Sequence, residues 1–422
     1  MNSVNIIFLI LIFLAFRVFE FVLDHLNLKY VEKFGDTIPE GFESIIEGEK
    51  LFKIKLYTIE KIRFGFLQNS YTTLITFVFF FSGIINIYND IILSFTSNYY
   101  INGILYFWFL TLLAGIFGIP FDLYSTFKIE KKYGFNTMTF KLWLIDFFKS
   151  VLISFVILAI LVSLAFVVIK HIQHWWFFVW GAFFIFSIFM LYVSPYVIEP
   201  LFNKFEQLKE EELKNKLVAV MAKIGIKVSK VLKMDASKRT KHTNAYFSGI
   251  GKVKRIVLFD TLLEKISHDE ILSIVAHEAG HWKRKHILKR ILVFELISLV
   301  GIYLAYLFSK STFLFSTFGI IKRVGISPEL YIPCLLLLVY FIFSLAMFLL
   351  MPLLNYWSRL HEKEADFFAV NLAETSEHLV NGLKKLSVDN LSNLHPYPLY
   401  SLFHYSHPPI LERIRYLKLS SN

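Results

Sequence analysis

The sequence predicts a predominantly α-helical membrane protein with seven transmembrane helices and two polar regions beside them. Three observations predict this fold class. The chain of 422 residues is 56% hydrophobic, with 47 Phe and a mean hydropathy of +0.56. Its apolar stretches approach the roughly 20 residues that a helix needs to cross a bilayer. The segments between these stretches alternate between basic and nearly uncharged, as in multi-pass proteins.

The apolar stretches define the membrane-spanning part. Aromatic residues suited to the membrane interface flank several of them, such as Tyr99 and Trp175. No Lys or Arg precedes the first stretch and no small-residue cleavage site follows it, so we expect a retained helix rather than a secretory signal. Arg17 and Glu20 interrupt this helix, and ionisable groups in membrane helices usually face a protein interior or a wet cavity. The seven stretches are 5–23, 71–95, 101–122, 150–169, 175–197, 291–309 and 331–354.

The basic residues lie mostly in alternate connecting segments. They are concentrated at 24–70, 126–149, 198–290 and in the C-terminal tail, whereas residues 1–4 and 96–100 contain none. By the positive-inside rule the basic segments are cytoplasmic and the N-terminus lies outside, which requires an odd number of spans. The formal net charge of +11 is therefore interpreted as charge flanking a lipid bilayer, and we expect no nucleic-acid binding.

The polar regions, 198–290 and 355–422, are both long enough to carry an active site, and both fall on the cytoplasmic side. An amphipathic helix is predicted at 210–224. A capping box formed by Ser267 and Glu270 opens a second helix, predicted at 268–285. A hairpin is predicted from strands at 244–248 and 253–259 around a turn at 249–251. The predicted division is transmembrane helices one to five with their loops (1–197), a metal-binding region (198–290), helices six and seven (291–354), and a C-terminal region (355–422).

The motif His277-Glu278-Ala279-Gly280-His281 lies on the second of these helices. Because His277 and His281 are four residues apart, both imidazoles project from one helix face toward a common point. Zinc binds imidazole nitrogen at about 2.0–2.1 Å, so the two histidines can share one ion. Glu278 lies beside that point and can take a proton from water without binding the metal. The motif therefore predicts a catalytic zinc site.

A catalytic zinc needs a third protein ligand and an open position. The acidic segment 358–366 follows the seventh apolar stretch on the same side of the membrane. Glu362 and Asp366 are one helical turn apart, so one could ligate the metal while the other orients a ligating histidine. His361 is another conceivable ligand, but on a helix it points about 100° away from Glu362.

Two further residues are ambiguous from the sequence. His407 precedes two prolines, where a lone histidine is more often a turn residue than a catalytic group. Cys334, the single cysteine, lies in an apolar stretch and is interpreted as a packing residue rather than a nucleophile.

Taken together, these segments resemble the type I CAAX prenyl proteases, which are seven-helix membrane zinc endopeptidases of the gluzincin type. The order and spacing of the matching segments agree over nearly the whole chain, which makes the resemblance more specific than the zinc motif alone. The segments are Glu-Lys-Lys-Tyr-Gly-Phe-Asn-Thr at 130–137, Ile-Glu-Pro-Leu-Phe-Asn-Lys-Phe at 198–205, Thr-Asn-Ala-Tyr-Phe-Ser-Gly at 243–249, Arg-Ile-Val-Leu-Phe-Asp-Thr-Leu-Leu at 255–263, 277–281, 358–366 and 407–413.

The resemblance implies a role for each candidate site residue. It implies a single Zn²⁺ bound by His277, His281 and Glu362, and a zincin-like α+β protease domain on the cytoplasmic side. It further implies that the seven helices enclose a chamber. The remaining implied roles are Glu278 as general base and acid, His407 as an oxyanion-stabilising catalytic residue, Asp366 as a carboxylate behind the ligands, and Asn244 and Arg413 as substrate-binding residues, Asn244 in an edge strand.

Three functional hypotheses follow. The first is removal of the C-terminal tripeptide from prenylated proteins, in the endoplasmic reticulum or inner nuclear membrane of a eukaryote or the inner membrane of a bacterium. The second is quality control of membrane proteins, acting on unprenylated peptides. The third is a transporter or scaffold with a relict zinc site, and the intact set of ligands and Glu278 argues against it. The sequence predicts no oligomeric state.

Overall fold

The computed structural model describes residues 3–248 and 253–419, so the turn predicted at 249–251 lies outside the described residues. The helices are α1 Ser3–Phe34, α2 Gly48–Phe81, α3 Ile84–Phe95, α4 Tyr99–Tyr124, α5 Phe140–His171, α6 Trp175–Val193, α7 Glu199–Phe202, α8 Glu211–Lys223, α9 Asp260–Leu263, α10 His268–Lys283, α11 His286–Ser309, α12 Phe313–Phe318, α13 Ile332–Ala373, α14 Glu377–Asp389, α15 Pro398–His404 and α16 Ile410–Leu419. The π-helical segments Ser125–Glu130 and Ser194–Ile198 extend α4 and α6.

The predicted membrane-spanning part is confirmed. Six helical segments of the described residues are long and apolar enough to cross a membrane, and a bent helix pair brings the total to seven if it forms one span. Arg17 and Glu20 of the first span form an ion pair with each other at 2.6 Å. Cys334 is buried, as expected for a packing residue. The six segments are Val4–Phe34, Tyr99–Glu130, Phe140–His171, Trp175–Phe202, His286–Ser309 and Pro328–Ala373.

The second span differs from the prediction of one helix within 71–95. Two helices, α2 and α3, meet there at an angle of 72°. Gly83 stands at the break with φ +88°, a left-handed conformation that glycine adopts without steric cost. The Ser82 hydroxyl donates back to the carbonyl of Val78, which satisfies part of the exposed end of α2. A search for apolar stretches does not detect this break because the residues around it stay apolar.

The last span continues far beyond its apolar stretch. The apolar stretch predicts a span at 331–354, but α13 runs for 42 residues from Ile332 to Ala373. It therefore carries the acidic segment 358–366 on the same helix that crosses the membrane. This continuity fixes the position of the acidic residues relative to the membrane.

A four-stranded sheet lies outside the membrane-spanning part. Its strands are β1 Phe205–Gln207, β2 Lys227–Met234, β3 Ala245–Ser248 and β4 Val253–Phe259. Their order is β1-β2-β4-β3, with β2 and β4 parallel and the other pairs antiparallel. The antiparallel pairing of β3 with β4 confirms the predicted hairpin, and β3 is an edge strand.

Helix α10 packs between the sheet and the C-terminal helices. Ile271, Val275 and Ala279 belong to a core that also contains residues of α8 and the sheet. Ala276 belongs to a second core, together with Ala369 of α13 and residues of α14 and α16. The predicted amphipathic helix, α8, contributes Leu213, Leu217 and Met221 to the first core. Because α10 is buried on two sides, its histidine motif is held against α13.

Candidate metal centre

The two motif histidines converge as their spacing predicts. A capping box between Ser267 and Glu270 begins α10, as expected from the sequence. One helical turn separates His277 from His281, and their Nε2 atoms lie 3.2 Å apart. His277 is buried, with 6% of its surface exposed. The helix thus presents two imidazole nitrogens to one point.

Glu362 of α13 faces the same point. Its Oε2 lies 3.4 Å from His277 Nε2, and its Oε1 lies 3.2 Å from His281 Nε2. The three residues form a group in which one ligand atom from each lies within 4.8 Å of the others. The close approach of the two helices at Gly280, where an added Cβ would stand 3.0 Å from Cα of Ala365, brings Glu362 into place.

The chemistry of these three residues fits a zinc ion. Four ligands about 2.0–2.1 Å from a tetrahedral ion stand about 3.3 Å apart, close to the separations given above. Glu362 is 1% exposed, and its Oε2 has no hydrogen-bond partner within the described part of the chain. A buried carboxylate oxygen normally has a partner. A cation between the two imidazoles and this carboxylate would provide one.

The electrostatics of the site also favour a cation. Burial alone would lower the pKa of His277, but the nearby carboxylates of Asp366 and Glu362 outweigh burial and raise the pKa to about 9. Burial raises the pKa of Glu278 above its usual range, against the opposing effect of His277 and His281. A carboxyl with a raised pKa holds a proton more readily than an exposed one.

Asp366 lies behind His277. Its Oδ1 accepts a hydrogen bond from His277 Nδ1 at 2.8 Å. The Arg413 guanidinium donates to both oxygens of Asp366, at 2.5 Å and 2.9 Å, and the Tyr416 hydroxyl also donates to Asp366. Arg413 is 8% exposed, and its Nη2 lies 3.5 Å from His277 Nδ1. The Arg413 guanidinium is therefore paired with Asp366. A substrate-binding role for Arg413 stays a prediction.

His407 is an exposed residue beside the ligand group, whereas Asn244 lies next to the edge strand β3. His407 Nε2 lies 3.4 Å from Glu362 Oε1, and 63% of the His407 side chain is exposed. Asn244 lies one residue before the edge strand β3, rather than within it as the sequence suggested. Its side-chain oxygen accepts from the amide of Ala245 at 2.8 Å. A cleft of about 550 Å³ adjoins His407, and its lining includes Leu386, Asn390, Ser392, Asn393 and Arg413.

Sequence reasoning missed two residues that contact the ligands. His286 begins α11 and lies against His281 (Nδ1 to Nδ1, 3.0 Å). Arg290, one turn further along α11, places Nη2 at 3.7 Å from Glu362 Oε1. Basic residues just before an apolar stretch are typical of membrane flanks. Nothing in the linear sequence distinguishes His286 and Arg290 from the other basic residues there.

Comparison with known proteins identifies the family. Residues 27–204 match the family described as CAAX prenyl protease N-terminal, five membrane helices. Residues 207–420 match peptidase family M48. The chain belongs to peptidase family M48. The resemblance drawn from the sequence motifs is thereby confirmed, and the protein is an integral, multi-pass membrane metallopeptidase.

Individual relatives support the same family. A CAAX prenyl protease 1 homolog from Oryza sativa is 33% identical, and the match covers 90% of each chain. An uncharacterized metalloprotease, YhfN, from Bacillus subtilis is 34% identical over 74% of this chain and 72% of its own. The crystal structure of S. mikatae Ste24p superposes with a TM-score of 0.89 at 29% identity, covering 96% of this chain and 98% of that one. The fold class predicted from the sequence is confirmed by this match.

Proposed function

We propose that this M48 member removes the C-terminal tripeptide of prenylated proteins, with one zinc ion held by His277, His281 and Glu362. The observation that carries the proposal is that Glu362 belongs to α13, the helix that also crosses the membrane. A prenyl group favours lipid, because each buried CH₂ contributes about 0.8 kcal/mol. A peptide bond next to a membrane-held prenyl group would therefore lie close to this site.

The residues around the ligands divide the chemistry between them. Zinc, when bound, supplies a Lewis acid that polarises the peptide carbonyl and lowers the pKa of water. Glu278 accepts a proton from the attacking water and returns it to the leaving amine. Its raised pKa lets the carboxyl hold that proton between the two transfers. His407 donates a hydrogen bond to the carbonyl oxygen as that oxygen gains negative charge.

Asp366 and Arg413 orient the first ligand. An ionised carboxylate accepts hydrogen bonds only, so Asp366 fixes the proton of His277 on Nδ1 and leaves Nε2 free to bind metal. Arg413 balances the buried charge of Asp366 through two hydrogen bonds. We assign both residues to positioning. Arg413 can in addition contact substrate through the cleft that it lines.

The substrate backbone is proposed to bind along the edge strand β3. Extended peptides commonly add to an exposed sheet edge, where backbone hydrogen bonds supply the affinity. Asn244 immediately precedes the first residue of this strand. Its carbonyl accepts from the amide of Phe259 at 3.1 Å, which ties the start of β3 to β4. A peptide on this edge would continue the antiparallel pairing of β3 with β4.

The remaining assignments are the membrane orientation, the chamber and the domain division. By the positive-inside rule the basic segments support an active site on the cytoplasmic side, which we propose for the endoplasmic reticulum or inner nuclear membrane of a eukaryote or the inner membrane of a bacterium. In the most apolar part of the spans formed by α4 and α5, only 6% of the residues are buried within the protein. In the span formed by α6, none is. Low burial is expected of helices that face lipid on one side and an enclosed space on the other, and it supports the proposed chamber. We propose divisions at 197, 290 and 354 between the spans and the two polar regions that form the site, the last of them within the continuous helix α13.

One assay tests the substrate class. The purified protein is incubated with a farnesylated peptide and with its unprenylated counterpart, each with and without a zinc chelator. We expect chelator-sensitive release of the terminal tripeptide from the farnesylated peptide only. Equal cleavage of both peptides would contradict the proposal. It would instead indicate quality control of membrane proteins, an alternative that the similarity to CAAX prenyl proteases does not favour.

A further inference from the structure

His286 links the ligand His281 to a carboxylate on another helix. Its Nδ1 lies 3.0 Å from Nδ1 of His281, and its Nε2 lies 3.0 Å from Oε2 of Glu364. His286 is completely buried, whereas 47% of the Glu364 side chain is exposed. We propose that Glu364 and His286 form a relay that fixes the protonated nitrogen of His281 and thereby holds its Nε2 ready to bind zinc. This inference rests on the metal site of the proposed function.

Hydrogen-bond chemistry sets the direction of the relay. A carboxylate accepts but does not donate, so Nε2 of His286 carries the proton that faces Glu364. The neutral His286 ring then has its lone pair on Nδ1, which accepts from Nδ1–H of His281. With its proton on Nδ1, His281 has a free lone pair on Nε2. That atom lies 3.2 Å from His277 Nε2 and 3.2 Å from Glu362 Oε1, within the ligand group.

The relay matches the arrangement behind the other histidine ligand. His277 donates from Nδ1 directly to Asp366 at 2.8 Å. The proton on Nδ1 of His281 is held in the same way, except that the imidazole of His286 stands between His281 and the carboxylate of Glu364. Both ligands therefore present Nε2, and an acidic residue of α13 holds the proton on Nδ1 directly for His277 and through His286 for His281. Hydrogen bonds of this kind typically change metal affinity by about 10- to 100-fold.

The backbone and a stacked ring hold His286 in place. Lys285, between α10 and α11, has φ +57°, a left-handed conformation that turns the chain and starts α11 at His286. The imidazole of His361 stacks on that of His286, with ring centroids 4.0 Å apart and planes inclined by 9°. These two features aim the ring nitrogens of His286 at His281 and Glu364. The stacking also gives His361, which was considered above as a ligand, a packing role against His286.

Glu364 is the residue to change, because its side chain is half exposed and can be shortened without leaving a cavity in the core. Zinc affinity of the metal-free protein is measured by competition with a chromophoric chelator, for Glu364→Ala and Glu364→Gln. We expect Glu364→Ala to weaken zinc binding by at least 10-fold. Gln keeps a carbonyl acceptor, so Glu364→Gln should lose less. The control is Glu374→Ala, at the exposed C-terminal end of the same helix, which should leave affinity unchanged.

A double variant separates the relay from simple packing. His286→Phe keeps an aromatic ring for stacking and removes both nitrogens. Since Glu364 acts through His286, adding Glu364→Ala to His286→Phe should cause no further loss of affinity. The melting temperature of the metal-free Glu364→Ala protein should match that of the unsubstituted protein.

Several results would overturn the relay. They are zinc affinity of Glu364→Ala within twofold of the Glu374→Ala control, additive losses in the double variant, or a loss of affinity that only follows a lowered melting temperature of the metal-free protein. If the unsubstituted protein itself binds no zinc, the proposed function fails as well, and the two failures are thereby distinguished.

Discussion

Gly280 of α10 lies against Ala365 of α13 with no room for a side chain. A Cβ at position 280 would stand 3.0 Å from Cα and 3.1 Å from the carbonyl oxygen of Ala365. These neighbours are backbone atoms, which cannot rotate away. The contact sets the separation of the two helices that carry His277, His281 and Glu362, so the metal site depends on it.

The first prediction concerns this contact. In a helix, replacing Gly by Ala normally gains up to about 1 kcal/mol of stability, while overpacking a tight interface costs about 1–3 kcal/mol. We expect Gly280→Ala to lower the melting temperature and weaken zinc binding, because α13 must move away. Gly65→Ala is the control, since Gly65 is also helical and has nothing within 4 Å of its added Cβ. Unchanged zinc affinity in Gly280→Ala would contradict the role given to the contact.

The second prediction concerns the buried pair of Asp366 and Arg413. Removing one partner of a buried ion pair costs about 3–5 kcal/mol because the other charge is left uncompensated. Asp366→Asn should therefore destabilise the protein strongly. Adding Arg413→Gln should recover part of the melting temperature. If the double variant is no more stable than Asp366→Asn alone, the two charges do not balance each other as described.

The third prediction concerns His407, whose side chain is largely exposed beside Glu362. Loss of a hydrogen-bond donor to a developing oxyanion typically lowers kcat by about 10²- to 10³-fold. We expect His407→Ala to show this loss of kcat with unchanged zinc content and a KM within a few-fold of the unsubstituted value. A variant with normal kcat and raised KM would instead place His407 in ground-state substrate binding.

The fourth prediction concerns pH. Metal binding needs a neutral imidazole, and the pKa of His277 in the structure is about 9. Below that pH the bound proton competes with zinc, so affinity should increase about tenfold per pH unit toward pH 9 and then level off. Zinc titrations of the metal-free protein between pH 6.5 and 9.5 would show this slope. A flat profile would indicate that His277 is already neutral.

The membrane spans and the convergence of the two motif histidines were predictable from the sequence because both depend on local patterns. Apolar length defines the spans, and the spacing of His277 and His281 defines the zinc-binding helix. The break at Gly83 was missed because a bend between two apolar helices leaves hydropathy unchanged. The length of α13 was missed because its polar part is buried against α10 and the C-terminal helices, and it carries no apolar signal.

Contacts across helices are harder to predict from one sequence. His286 lies next to His281 only because Lys285 turns the chain, and Glu364 reaches His286 only because α13 continues past the membrane. The choice of Glu362 over Asp366 as ligand came from the family resemblance. The structure supports the same choice, since Glu362 faces both Nε2 atoms while Asp366 faces Nδ1 of His277.

Glu278 is proposed to perform the proton transfers at a zinc site that it does not help to build. The direct measurement is zinc content by elemental analysis together with cleavage of a farnesylated peptide, for Glu278→Gln and Glu362→Ala. We expect Glu278→Gln to keep one zinc per chain and lose turnover by at least 10³-fold, and Glu362→Ala to lose the zinc itself. Near-normal cleavage by Glu278→Gln, or full zinc content in Glu362→Ala, would contradict the account.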